Sequence, residues 1–308
     1  MNFQQLRIIR ETVRCQFNFT DVGNALFTSQ SGVSKHIKDL EDELGVELFV
    51  RKGKRLLGLT PPGKELVVIV ERMLIDAQNI KNLADQYTSR DEGELTVATT
   101  HTQSRYALPS VVKAFKENFP KVHLRLHQGS PEEIATMLLN GRADLGIATE
   151  ALPNIPDLVS FPYYTWYHAA VVTPDHPLAQ QANLTLEAIS QYPIITYHDG
   201  YTGRPSIDKT FAQAGLKPDI IMSAMDSDVI KTYAEIGLGV GIIASMGFHP
   251  TKDSGLQLLH SEHLFEPNTT VIAVRQGHFL RGFAYRFIEL CNPHLDEITV
   301  REAINPTR

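Results

Sequence analysis

Residues 18–55 constrain this chain more tightly than any other stretch. They read as two short helices across a tight turn, followed by a basic hairpin. Asn18 is the N-cap of the first helix, which places Val22, Ala25 and Leu26 on one face. After a turn at Phe27 and Thr28, Ser29 caps a second helix. Its apolar residues Val33, Ile37, Leu40 and Leu44 are spaced by four, three and four, which makes a single buried stripe. With Ser29, the other face carries Gln30, Ser31, Ser34, Lys35 and Lys38, short polar and basic groups that reach base edges and phosphates. This is the layout of a helix-turn-helix with an exposed recognition helix. Four of the five residues Arg51-Lys52-Gly53-Lys54-Arg55 are basic. A wing with glycine at its tip would lay that charge against a DNA backbone. The competing reading is an ordinary amphipathic hairpin with a solvated face. The absence of acidic residues on that face before Asp39, together with the charge of the wing, favours DNA.

At 308 residues with net charge −6, an evenly spread charge would argue against nucleic acid. The charge is uneven. Residues 1–90 hold 13 Lys and Arg against 11 Asp and Glu, or +2, and residues 91–308 hold 16 against 24, or −8. A weakly basic head on an acidic body confines the DNA contact to one end. Cys15 and Cys291 are the only cysteines, too few for a disulfide framework or a cysteine metal cluster. No signal sequence and no bilayer-length apolar run is evident, so a cytoplasmic protein with no membrane partner is expected.

Thr60-Pro61-Pro62-Gly63 punctuates the chain and starts a new helix. From Leu66 the apolar positions run Leu66, Val70, Met73, Ala77, Ile80, Ala84 and Tyr87, a heptad seam over about three repeats. The expectation is a dimerisation helix joining head to body; packing against its own domain is the alternative. From Glu94 strands and helices alternate, which implies a mostly parallel sheet covered on both faces. The domains expected are 1–60, a linker helix over 61–90, and a body over 91–308. The body divides into a first lobe of 91–163 with 268–308 and a second of 164–267. Ligands bind such sheets at the carboxyl ends of the strands, here between the lobes.

Three loops at strand ends share one chemistry. Thr99-Thr100-His101-Thr102-Gln103 lies at a helix start, Thr149-Glu150 follows a strand, and Tyr201-Thr202-Gly203-Arg204 follows another. Threonine hydroxyls, glutamine amide and glycine backbone suit a small anionic ligand. A single Thr is more often a local cap than a ligand contact; three such loops favour binding. Arg204 either senses the anion or pairs with Asp199 or Asp208. Trp166 either lines the cleft or fills the hinge core. Gly237-Leu238-Gly239-Val240-Gly241 follows a helix and opens a strand, the reverse of a dinucleotide loop. His123 and His127 fall on a strand with no third ligand, so neither a metal nor a cofactor is expected.

The opening sixty residues resemble the winged helix-turn-helix of LysR-type transcriptional regulators, with Thr28-Ser29-Gln30-Ser31-Gly32-Val33-Ser34 and Leu40-Glu41-Asp42-Glu43-Leu44-Gly45 carrying the match. Ala98-Thr99-Thr100-His101-Thr102-Gln103, His127-Gln128-Gly129-Ser130-Pro131, Thr202-Gly203-Arg204 and Asp226-Ser227-Asp228-Val229-Ile230-Lys231 resemble the CysB/Cbl branch of that family. The resemblance covers nearly the whole chain. It implies an α/β fold class: a winged head, a long linker helix and a two-lobed effector domain like that of periplasmic binding proteins. It also implies a regulator of sulfur assimilation or organosulfur use that acts on promoter DNA as a tetramer. RNA polymerase is a further candidate partner. The implied effector is a small anion such as adenosine 5′-phosphosulfate, O-acetylserine, N-acetylserine or a sulfate-like ion. Its implied contacts are Thr100, Thr102, Gln103, Thr149 and Thr202. Three departures stand out: Ser104 where Ala is usual, Pro205 where Ser is usual, and Gly23 inside the first helix of the motif. Gly23 costs about 1 kcal/mol of helix propensity.

The rival classes are a small-molecule-binding protein, or an enzyme, with a fused DNA-binding head. No phosphate loop, nucleophile elbow or suitably placed carboxylate pair supports an enzyme.

Overall fold

The computed structural model describes residues 1–53, 55–88 and 91–306. Two compact units divide the chain, Met1–Asp85 and Gln86–Arg308.

The first unit runs α1 (Phe3–Arg14), α2 (Phe19–Ala25), α3 (Gln30–Leu44), a hairpin of β1 (Phe49–Lys52) and β2 (Arg55–Leu59), and most of α4 (Pro61–Thr88). Side-chain oxygens cap each short helix. Asn2 and Gln5 form a reciprocal capping box on α1, Asn18 accepts from Thr20 N–H, and Ser29 accepts from Gly32 N–H at 3.1 Å. Leu6, Ile9, Val22, Val33, Ile37 and Leu40 share one core with Leu48, Phe49, Val70 and Leu74.

Two positions of the expected stripe lie elsewhere. Ala25 is exposed, and Leu44 is 40% exposed. The helix stops at Gly45, whose φ of +68° turns the chain away, so the last stripe residue overshoots the core. The buried group of that turn is Glu41, which accepts the backbone N–H groups of Leu48 (2.8 Å) and Phe49 (3.2 Å) as the chain enters the wing. Gly23 has a contact that propensity could not reveal. A Cβ there would lie 2.7 Å from the Thr28 carbonyl oxygen, so glycine lets the turn fold close onto α2.

The heptad seam divides along α4. Val70 is buried in the head core with Leu74, and Leu66 and Met73 pack against it, whereas Ile80 and Tyr87 are 68% and 82% exposed. The packed alternative therefore holds for the first half of the helix.

The second unit begins with β3 (Gly93–Thr99), α5 (Leu108–Asn118), β4 (Val122–Gln128), α6 (Pro131–Leu139), β5 (Leu145–Ala148) and β6 (Leu158–Trp166). It crosses into β7 (His168–Val172), α7 (Leu186–Ile189), β8 (Ile194–Tyr197), α8 (Arg204–Gln213), β9 (Ile220–Ala224), α9 (Ser227–Glu235), β10 (Val240–Ala244) and β11 (Gln257–Leu258). It returns through β12 (Asn268–Arg275), α10 (Gly282–Cys291) and α11 (Glu297–Ile304). The sheet orders are β4-β3-β5-β12-β6 and β11-β7-β10-β8-β9. Apolar clusters cover both faces of the first sheet, one built on Phe115 and Phe287 and the other on Ile134 and Leu138.

The sheets are more mixed than expected. β3 pairs in parallel with β4 and β5, and β8 with β9 and β10, but β12 runs antiparallel to β5 and β6, and β7 antiparallel to β10 and β11. The antiparallel strands carry the chain between lobes. β6 leaves through Tyr167 and β12 re-enters at Asn268, which pairs with Trp166. The two crossings are thus adjacent strands of one ladder, and that ladder is the hinge. β6 escapes a sequence reading because Pro162 interrupts it. It is an edge strand whose register shifts opposite Pro162, between Thr270 and Val271, which is where proline is tolerated.

Candidate functional site

On the head, Ser29, Gln30, Ser31, Lys35 and Lys38 are exposed along α3 and Ser34 is half-buried. The Ser29 hydroxyl is already a helix cap and lies 3.1 Å from Ser31 Oγ. Lys52 and Arg55 face each other across the hairpin and are exposed. Lys54 lies outside the described residues. Arg51 differs from its neighbours, since its Nη2 sits 2.7 Å from Glu41 Oε2. Part of its charge is therefore met within the head.

In the second unit the three expected loops meet at the hinge. The chain leaving β3 enters a helical turn that widens to a π-turn over Gln103–Ala107 before α5. Such turns recur at functional sites. Thr100, Thr102 and Gln103 are buried there, Thr102 and Gln103 to 1% exposure. The Tyr164 hydroxyl donates to Gln103 Oε1 at 2.5 Å, which directs the amide Nε2 to Thr270 Oγ1 at 3.2 Å. Burial pushes Tyr164 up to about 12, so it stays a donor. Trp166 Nε1 also donates to Thr270 Oγ1, at 3.0 Å. Two N–H donors fill the lone pairs of that oxygen, so the Thr270 hydrogen points to Thr149 Oγ1, 3.1 Å away. The Thr149 hydrogen is left to donate to something else.

On the second lobe, Thr202 adopts φ +39°, an uncommon conformation for a β-branched residue, and its side chain is buried. Gly203 follows at φ +73°, and a Cβ there would lie 2.5 Å from His168 Cε1. His168 Nε2 lies 3.1 Å from the Thr202 carbonyl, and its Nδ1 faces the Asn268 amide at 3.3 Å. Donation at Nε2 and acceptance at Nδ1 define a neutral ring, and burial pushes its pKa down to about 4. The hydroxyl oxygens of Thr102 and Thr202 are buried with no hydrogen-bond partner among the described residues. Buried polar atoms are almost always paired, so two orphans in one cleft point to an occupant.

The glycine N–H of the 201–204 loop is already engaged. Gly203 N–H donates to Glu150 Oε1, Arg204 N–H to the Tyr201 carbonyl, Ser206 N–H to the Gly203 carbonyl, and Pro205 has none. The loop therefore offers a hydroxyl to a ligand, not glycine N–H groups. Arg204 is committed to Asp208 (2.8 Å), Asp199 (3.2 Å) and the Tyr197 carbonyl (2.6 Å). Ser104 ties the His101 carbonyl to the Gln128 amide. Trp166 fills the hinge, edge-on to His168 at 4.9 Å, and feeds the cleft network through Thr270. Thr270 and Tyr164 had no sequence signal beyond their places at the two crossings.

A second set of contacts crosses the cleft. Arg105 Nε lies 2.7 Å from Asp228, and the Tyr106 hydroxyl donates to Asp228 at 2.8 Å. Lys231 reaches Tyr106 at 3.3 Å and is anchored to Asp253 and the Gly247 carbonyl. His101, Asp226 and Asp228 bring ligand-type atoms within 4.8 Å of one another. These carboxylates have other work: Asp226 caps α9 through Val229 N–H, and Asp228 holds Arg105 and Tyr106.

A helix-turn-helix head followed by two α/β lobes around a polar cleft defines a regulator with a DNA-reading end and an effector-binding domain. Residues 3–64 match the bacterial regulatory helix-turn-helix protein of the lysR family, and residues 88–296 match the LysR substrate binding domain. The chain is 57% identical to the transcriptional regulator SsuR of Burkholderia cenocepacia, over 99% of this chain and all of that one. It is 54% identical to the regulator Cbl of Escherichia coli K12, over 99% and 96%. The crystal structure of the cofactor-binding domain of a Cbl regulator superposes with a TM-score of 0.68 at 49% identity, over 70% of this chain and 95% of that one. The chain belongs to the LysR family, as a transcriptional regulator of the SsuR, Cbl and CysB type. These relatives are regulators, not enzymes. No described helix is long and apolar enough to cross a membrane.

Proposed function

We propose that the protein controls genes of sulfur assimilation or organosulfur use, binding promoter DNA through α3 and the wing and responding to a small sulfur-bearing oxyanion held between the lobes. The observation that carries the effector half is the pair of orphan hydroxyls, Thr102 on the first lobe and Thr202 on the second. A tetrahedral oxyanion presents acceptors in several directions and has no hydrogens to give. It therefore suits a cleft whose unused groups are hydroxyl donors on both lobes. Thr149, with its hydrogen left over, supplies a third donor, and Thr100 and the remaining Gln103 amide hydrogen complete the set. Sulfate, thiosulfate and adenosine 5′-phosphosulfate present such a group; the acetylserines, planar carboxylates without sulfur, are the alternative candidates. Effector contacts that differ between lobe arrangements would couple the cleft to DNA through the oligomer, which we place at a tetramer.

The test is a melting-temperature panel with those five compounds on the wild type and on Thr102→Ala/Thr202→Ala. An effector at a hundred times its Kd adds about 2.7 kcal/mol, a shift of roughly 5–10 °C for a body of this size. The double variant should lose that shift and still bind upstream DNA. A shift that survives in the double variant refutes the cleft assignment. Changing Lys52 and Arg55 to Ala should weaken binding to all DNA sequences and flatten its salt dependence. Changing Gln30 or Ser34 should instead relax sequence preference in competition against random DNA.

A further inference from the structure

Glu150 has no role in the effector reading above, yet it bridges the cleft. It follows Thr149 at the end of β5 on the first lobe, and its Oε1 accepts the N–H of Gly203 on the second. Its other oxygen, Oε2, is buried with no hydrogen-bond partner among the described residues. A negative carboxylate in this position would be poorly placed twice over. One oxygen would be desolvated without a donor, and its charge would repel any anion that reached the neighbouring hydroxyls of Thr149 and Thr202. A proton on Oε2 removes both conflicts and turns the lone acceptor into a donor.

We propose that Glu150 is a specificity-determining residue of the cleft, holding Gly203 with one oxygen and giving an O–H from the other to the bound oxyanion, so that anion uptake is coupled to proton uptake. The inference rests on the oxyanion reading of the cleft. It predicts selection for ligands with an acceptor oxygen at that position and against a hydroxyl or amine already committed as a donor. The surroundings agree. Burial pushes the Glu150 carboxyl up to about 7, against the backbone N–H groups of Gly203 and of Glu150 itself, and the negative charge of Glu132 on α6 adds to the push. His168, under Thr202, is neutral through burial and supplies no balancing charge. Arg204, next after Gly203, is held by Asp199 and Asp208. His101 gathers with Asp226 and Asp228. The proton comes from solvent, and no bond to the ligand is made or broken.

The experiment is calorimetric titration of the full-length protein with sodium sulfate between pH 5.5 and 8.5, at fixed ionic strength, in two buffers of different ionisation heat. Sulfate stays a dianion throughout, so any proton taken up belongs to the protein. In the wild type the Kd should be flat below about pH 6 and rise towards tenfold per pH unit above about pH 7. Proton uptake at pH 7.5 should approach about three-quarters of a proton per site, the fraction of a group of pKa about 7 that is ionised there. Glu150→Gln keeps an acceptor for Gly203 and a donor for the anion, and should bind sulfate with a flat profile and no uptake. A wild type that binds sulfate through Thr102 and Thr202 without uptake overturns the role of Glu150 alone. A Gln variant that keeps the wild-type pH profile does the same. Sulfate that fails to bind at any pH, or that binds equally to Thr102→Ala/Thr202→Ala, overturns the cleft reading and this inference together. If the Gln variant does not fold, the wild-type proton count still decides.

Discussion

At the scale of single residues, two ionisable groups of the cleft, the half-buried Glu150 and the buried His168, have opposite effects on stability as pH changes. Glu150 titrates near 7 in the fold against an ordinary 4.5. Below 4.5 both folded and unfolded chains hold its proton. Between 4.5 and 7 only the folded chain does, so stability falls as pH rises, by at most roughly 3 kcal/mol, and levels off above 7. His168 titrates near 4 against an ordinary 6.5. There the unfolded chain takes the proton first, so stability rises with pH between 4 and 6.5. The two slopes largely cancel in the wild type, and a plain pH scan would hide both. Glu150→Gln removes one and leaves the other. Its stability advantage over the wild type should grow from pH 4.5 to 7 and then stay constant, read from urea midpoints at pH 4.5, 6 and 7.5. An advantage independent of pH would mean that the carboxyl is ionised in the fold. Thr202 and Gly23 carry a related lesson, since each occupies a backbone position of local cost. The φ of Thr202 aims a hydroxyl into the cleft loop, and the missing side chain of Gly23 admits the Thr28 carbonyl.

Elements explain which parts of this molecule a sequence reveals. The caps at Asn18 and Ser29, the stripe Val33-Ile37-Leu40 and the helix stop at Gly237 depend on residues a few positions apart, so local pattern was enough to place them. The cleft threonines were legible because three loops repeated one chemistry at strand ends. Thr270 and Tyr164 were not, because their network depends on β6 and β12 being neighbours, and Pro162 conceals β6; nor was the Glu150–Gly203 bridge, which joins loops of different lobes. The seam of α4 was half legible: heptad spacing identifies an apolar stripe but not what covers it. The π-turn carrying Arg105 and Tyr106 depends on long-range contacts in the same way, for its partners Asp228 and Lys231 lie more than 120 residues away. Tyr106→Phe keeps the ring and deletes the hydroxyl that spans the lobes. A hydrogen bond to a charged group contributes about 1.5–3 kcal/mol, so closing should be disfavoured by roughly tenfold or more. Sulfate affinity should weaken by that factor with every cleft hydroxyl intact. Unchanged affinity would show that Asp228 finds an equal partner in Arg105 alone.

For the whole molecule, the uneven charge and the uncovered apolar side chains lead to one expectation. A head of only +2 cannot grip DNA strongly as a single copy, since affinity for the backbone grows with the number of phosphates neutralised. Arg51 weakens that grip further, because its partner is Glu41. Two copies presenting two recognition helices double the contacts and read two half-sites, which is the arrangement we propose. We propose that α4 supplies the pairing surface, where Ile80, Leu83 and Tyr87 are exposed beyond the part of the helix that packs on the head. Large apolar groups gathered on one exposed helix suit a second helix better than water. Ile80→Glu/Leu83→Glu should therefore shift the protein to a smaller species in sedimentation. It should cut affinity for upstream DNA by orders of magnitude and roughly halve the slope of log affinity against log salt, because half the phosphate contacts are lost. The effector shift in melting temperature should persist, since the cleft lies wholly within residues 86–308. A variant that keeps its size and its salt slope would move the pairing surface off α4. One that keeps its size but loses DNA binding would assign those residues to the DNA contact itself.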